Sequence, residues 1–168
     1  MMLPKNEEKE MPDWLSRAVA IYDSDKRSYG DVLSHDWIRY ALDIPVPKSV
    51  EDYEQSQWTL LMRVEAFKDY LLIDRHIAIQ NVRGNGYRIV PPSEQARMAA
   101  EEAMRLVKRG LDKGSKIIKN TRLAELDTAQ RRQHTDAEIR LSGIGDLMKR
   151  QRRDIFKLFG PEYKDESR

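Results

Sequence analysis

The residues able to carry out chemistry are few and scattered. Three histidines, His35, His76 and His134, fall on different stretches of the chain, and none has a carboxylate partner at metal-ligand spacing. There is no cysteine, which excludes thiol nucleophiles, disulfides and zinc ribbons. Gly84-Asn85-Gly86 is too short for a phosphate-cradling loop, and it precedes a strand-like run where such a loop needs a helix. Asp and Glu are abundant but always interleaved with Lys or Arg, as on solvated helix faces. No serine stands in a nucleophile-elbow context. The chain is therefore expected to be non-enzymatic, with no cofactor and no bound metal.

Charge is the more informative property. The 168 residues are 35% charged, above the roughly 25% of ordinary domains. The net +2 conceals an asymmetry: residues 1–70 hold 9 Lys/Arg against 14 Asp/Glu, whereas residues 71–168 hold 21 against 14. A polyanion would be drawn to the second half and repelled by the first. Arg105 to Arg122 contains seven basic residues, among them Lys116, Lys119 and Arg122, and one acid, Asp112. Arg131-Arg132 and Lys149 to Arg153 add two clusters. Such clusters suit nucleic-acid contact and equally suit a solvated helical hairpin. No run approaches the ~20 apolar residues of a membrane span, and the opening residues lack a signal-peptide core. A cytoplasmic protein without membrane contact is expected.

The elements that must position these charges follow from periodicity. Residues 1–12 read as a disordered leader. Trp14, Leu15, Ala18, Val19 and Ile21 outline a short helix. Ser34 caps a second helix through Leu42, with Trp37, Ile38, Ala41 and Leu42 inward. Pro45 and Pro47 stop it. Ser49-Val50-Glu51-Asp52 reads as a capping box for a helix to about Asp74, with Trp58, Leu61, Val64, Phe67 and Leu71 as its inner face. The period then changes: Ile77 and Ile79, then Tyr87 and Ile89, alternate around Gly84-Asn85-Gly86, predicting a β-hairpin over 76–90. Beyond Pro91-Pro92 three helices are expected. The first is ended by Gly110 or Gly114, the second runs from Ser115 to about His134, and the third spans Ala137 to Phe159. Gly143 and Gly145 together weaken that last helix by roughly 2 kcal/mol.

The hairpin carries a resemblance. Val82, Arg83, Gly84, Gly86, Tyr87 and Arg88 match the Val-Arg-Gly-x-Gly-Tyr-Arg wing of winged-helix transcription factors of the response-regulator type. The resemblance implies a winged helix over 13–92 that binds duplex DNA in transcription regulation, with helix 57–74 in the major groove. Lys68, Arg75, Arg83, Asn85 and Arg88 would be the contacts there, with Gly84 and Gly86 shaping the wing. The chain departs from that family in the helix itself, where Glu65, Asp69 and Asp74 accompany Lys68 and Arg75. The alternative is a winged helix used as a protein-binding scaffold, docking a host or partner protein on an acidic, aromatic surface (Asp23, Asp25, Asp31, Asp36 and Asp43 with Tyr22, Tyr29 and Tyr40). In general appearance the chain is similar to phage or mobile-element accessory proteins.

The expected fold is mostly α with a small β-hairpin: a winged-helix-like half, then a helical tail over 93–160 and an extension over 161–168. At heptad spacing the tail offers Ala137, Leu141, Ile144, Met148, Gln151, Ile155 and Leu158. Leu141, Ile144, Met148, Ile155 and Leu158 are candidate association residues. They fit either a dimerising coiled coil, hence a homodimer, or an intramolecular bundle.

Overall fold

A computed structural model describes residues 11–160; the leader before Met11 and the extension 161–168 lie outside the described residues. The described residues are mostly helical, with five α-helices and one three-stranded antiparallel sheet among them. It divides into two units, residues 1–93 and 94–168.

The first unit runs α1 (Asp13–Ser24), β1 (Val32–Ser34), α2 (His35–Ala41), α3 (Val50–Asp74), β2 (Ala78–Val82) and β3 (Gly86–Val90). The caps form where hydroxyl side chains stand ready to accept an orphan amide. Trp37 N–H donates to Ser34 Oγ at 3.1 Å, and Asp52 N–H donates to Ser49 Oγ at 3.1 Å. Asp52 answers at Lys48 N–H (3.3 Å), one residue earlier than a standard capping box.

The core is built from Leu15, Ala18 and Val19 of α1, Ile38 and Ala41 of α2, Val64, Phe67 and Leu71 of α3, and Leu33, Ile79 and Ile89 of the strands. Tyr22 joins it, edge-on to Trp37 and Phe67 at 6.4 and 6.1 Å. Burial raises the Tyr22 hydroxyl pKa above its ordinary value. Tyr22 is thus a core residue and not part of the acidic, aromatic surface expected of it; Tyr29 and Tyr40 are exposed.

Arg63 locks three helices together. Its guanidinium donates to Leu42 O (2.7 Å) and Asp43 O (2.6 Å), closing the C-terminal end of α2, and stacks over the Trp14 ring at 5.1 Å. Ser56 Oγ holds the proline link by donating to Pro45 O at 2.8 Å.

Two expectations are corrected here. Trp58 and Leu61 do not face the core: they are 65% and 58% exposed. Helix α3 carries two adjacent apolar stripes, and three- to four-residue spacing alone cannot tell which stripe is buried. The sheet also has a third strand. The short β1 pairs with β3, giving the order β1-β3-β2, with Ser34 opposite Gly86 and Val82 opposite Gly86.

The second unit consists of α4 (Pro92–Lys119), a turn of 3-10 helix at Leu123–Glu125, and α5 (Thr128–Lys157). Two long helices replace the three expected. Gly110, Gly114, Gly143 and Gly145 all lie inside them. The helices are antiparallel: His134 Nε2 lies 3.0 Å from Ile118 O, and a Cβ built at Gly114 would lie 3.3 Å from Leu141 Cδ2. Gly114 therefore acts as a small residue in the seam, not as a stop. The real break is at Asn120 and Thr121, whose side chains donate to Lys116 O (2.7 Å) and Ile117 O (3.2 Å). A capping box of Asp127 with Gln130 then restarts the helix.

Candidate nucleic-acid interface

The turn between β2 and β3 is a tight reversal. Asn85 N–H donates to Val82 O at 2.9 Å, and Gly84 sits at φ +80°, as the third position of a type II turn requires. Gly86 has φ +128°, and a Cβ there would lie 2.0 Å from Leu33 O, so β1 can run beside β3 only because residue 86 has no side chain. Tyr87 packs against the core and meets His35 edge-on at 6.4 Å. Arg83 and Asn85 are exposed at the tip, and Arg88 is half-buried on β3.

The expected DNA contacts of α3 are otherwise engaged. Lys68 Nζ pairs with Glu65 at 3.0 Å. Arg75 follows the last turn and pairs with Asp23 at 2.8 Å; the Tyr70 hydroxyl, then Asp23, hold its pKa above the ordinary arginine value. Helix α3 carries six acids (Glu51, Asp52, Glu54, Glu65, Asp69, Asp74) and two bases, Arg63 and Lys68, both with partners. Its outward side presents Trp58, Leu61, Met62, Leu72 and Ile73 among Glu54, Glu65 and Asp69. Periodicity had assigned part of this stripe to the core.

The second unit is basic: residues 94–160 hold 16 Lys/Arg against 10 Asp/Glu, while residues 11–93 hold 10 against 12. Its seam is lined by Met104, Val107 and Leu111 of α4 against Leu141, Gly145 and Met148 of α5, beside a groove of about 370 Å³. Lys108, Asp112, Asp146, Lys149 and Arg152 rim that groove. Lys116 and Lys119 are exposed in the last turn of α4, and Arg122 in the connecting turn pairs with Glu125 at 3.2 Å. Lys149 pairs with Asp146 at 3.1 Å. Such exposed pairs contribute little and are open to exchange for a phosphate. Of the candidate association residues, Leu141, Met148 and Ile155 are half-buried, whereas Ile144 and Leu158 are exposed.

Among the described residues, no group of three His, Asp or Glu side chains could hold a metal ion, and no helix is long and apolar enough to cross a membrane. No protein-family model matches the chain, and no curated protein or solved structure matches it.

Proposed function

We propose that this chain is a non-enzymatic, winged-helix regulatory protein that binds duplex DNA through phosphate contacts. Exposed Lys and Arg of the α4–α5 hairpin make most of those contacts, and Arg83 and Asn85 at the wing add to them. The element order α1-β1-α2-α3-β2-β3, with the sheet order β1-β3-β2, supports the winged-helix assignment. The observation that carries the functional reading is the segregation of charge. The basic excess sits on exposed helix in the second unit, while the bases of α3 are tied to neighbours in the first. Phosphate neutralisation dominates non-specific DNA affinity, so binding follows exposed Lys and Arg. In this reading α3 does not read bases.

Fluorescence anisotropy with a labelled duplex at ~50 mM salt tests it. The parent binds, the double variant Lys116→Glu/Lys119→Glu binds at least tenfold more weakly, and Trp58→Ser leaves affinity unchanged. A parent that does not bind, or a charge-reversed variant that binds like the parent, overturns the reading. The acidic and apolar outward side of α3 favours a second role: a scaffold that docks a partner protein bearing basic and apolar groups.

A further inference from the structure

The hairpin is amphipathic as a unit, and this has a consequence for assembly. The seam residues of α4 (Ala100, Met104, Val107, Leu111, Gly114, Ile118) recur at steps of three and four, as do those of α5 (Leu141, Gly145, Met148, Arg152, Ile155). Lys108, Asp112 and Ser115 line one groove together with Ser142, Asp146 and Lys149. Each lies one residue after a seam position, about 100° around its helix. The residues one before the seam therefore share the opposite flank. On α4 these are Ala99, Ala103, Leu106, Gly110, Lys113 and Ile117; on α5 they are Arg140, Ile144, Leu147, Gln151 and Asp154, and Leu158, the residue that ends α5, continues the row. All twelve are exposed, and the five large apolar ones remain 50–79% exposed.

One flank is thus charged, and the other carries Leu, Ile, Ala and Gly at eight of its twelve positions, interrupted by Lys113, Arg140, Gln151 and Asp154. Among the described residues no side chain of α4 is buried, and only Phe156 of α5 is. Helices of this kind draw their stability from covering an apolar stripe, and here the second stripe of α4 is uncovered.

We infer that the strip is covered by a second copy of this chain, giving a two-fold symmetric four-helix bundle with the charged flanks outermost. The face is self-complementary. The antiparallel pairing sets Gly114 level with Leu141 and Ile118 near His134. Leu106 and Leu147 are then level at the middle of the strip, with Ile117 toward one end and Leu158 toward the other. A two-fold axis through the middle brings Ile117 to the level of Leu158 of the second copy. The same operation brings Lys113 and Arg140 to the level of Asp154 of the second copy, so opposite charges meet at the rim. Ala99, Ala103 and Gly110 let the α4 backbones approach. The large side chains from two copies bury on the order of 1,000 Å² of apolar area, near the size at which stable interfaces begin. A face that repeats on both partners and matches itself is the mark of an isologous dimer.

The test does not involve DNA. Because the chain has no cysteine, Leu106→Cys introduces one reporter near the axis. Sedimentation velocity of the full chain is expected to give a dimer, and air oxidation of Leu106→Cys a covalent dimer. The double variant Leu106→Glu/Leu147→Glu should be monomeric with unchanged far-ultraviolet dichroism, since both side chains are already exposed. A parent that stays monomeric at ~100 μM, a concentration any biologically useful dimer would saturate, overturns the inference. So does a double variant that remains dimeric.

Discussion

Gly86→Ala and Gly84→Ala should differ sharply in cost, although both glycines stand at positive φ in the same β2–β3 hairpin. At Gly84 a Cβ meets nothing within 4 Å, so alanine incurs only the left-handed backbone penalty, about 1–2 kcal/mol. At Gly86 the same strain applies at φ +128°, and the new Cβ falls 2.0 Å from Leu33 O. Backbone cannot yield as a flexible side chain would, so β1 must move away. That breaks the pairing of Val32 to Ser34 with β3 and withdraws Leu33 from full burial. Losing a buried leucine costs roughly 1.5–3 kcal/mol, so the total is about 3–5 kcal/mol when the strain is included. Urea unfolding followed by tryptophan fluorescence reads the difference, because Trp14 and Trp37 pack against this core. With a slope of about 1–3 kcal/mol/M, a 2 kcal/mol gap separates the midpoints by roughly 0.7–2 M. Equal midpoints for the two variants would refute the claim that β1 is wedged against Gly86 of β3.

Arg63→Ala should destabilise the first unit by about 2 kcal/mol, because Leu42 O and Asp43 O lose a charged donor. Arg63→Lys should recover only part of this, since a point charge cannot match the fork; full recovery in a urea melt would contradict the clamp. Asp25 accepts from Arg27 (2.8 Å) and from Trp37 Nε1–H (2.6 Å), and these bonds, Arg27 first, hold its carboxyl below the ordinary 3.8. A lowered folded-state pKa gives stability that is present above the unfolded value and lost as pH falls through the folded one. The difference in urea midpoint between the parent and Asp25→Asn should therefore be full at pH 7 and shrink below pH ~3.8. A difference unchanged at pH 3 would exclude the carboxylate as its source.

The parts of this structure legible in the sequence were those with a local signature. Ser34 and Ser49 announce their helices by cap chemistry, and Gly84-Asn85-Gly86 between alternating runs announces the hairpin. What escaped depended on tertiary contact. Strand β1 is three residues long, and Val32 and Leu33 after Gly30-Asp31 show no alternation to read. Gly110, Gly114, Gly143 and Gly145 cost propensity but do not end a helix whose neighbours hold it, and Gly114 is accommodated by Leu141 across the seam. The stripe of α3 read as one apolar face is two, because Trp58 and Leu61 lie beside, not upon, the line through Val64, Phe67 and Leu71. The heptad of the tail was similarly mixed: Leu141, Met148 and Ile155 belong to the seam, Ile144 and Leu158 to the flank. Charge placement was legible only in part, since the asymmetry is plain in the chain but the pairings of Lys68 and Arg75 are not.

The salt dependence of duplex affinity tests the central proposal most directly. Each phosphate neutralised contributes about −0.9 to the slope of log K against log salt. With Lys108, Lys116, Lys119, Arg153 and Arg83 engaged, the parent slope should be about −4.5, and Lys116→Ala/Lys119→Ala should reduce its magnitude by about 2. A parent slope near zero, or one that the double variant leaves unchanged, would contradict phosphate binding by the hairpin.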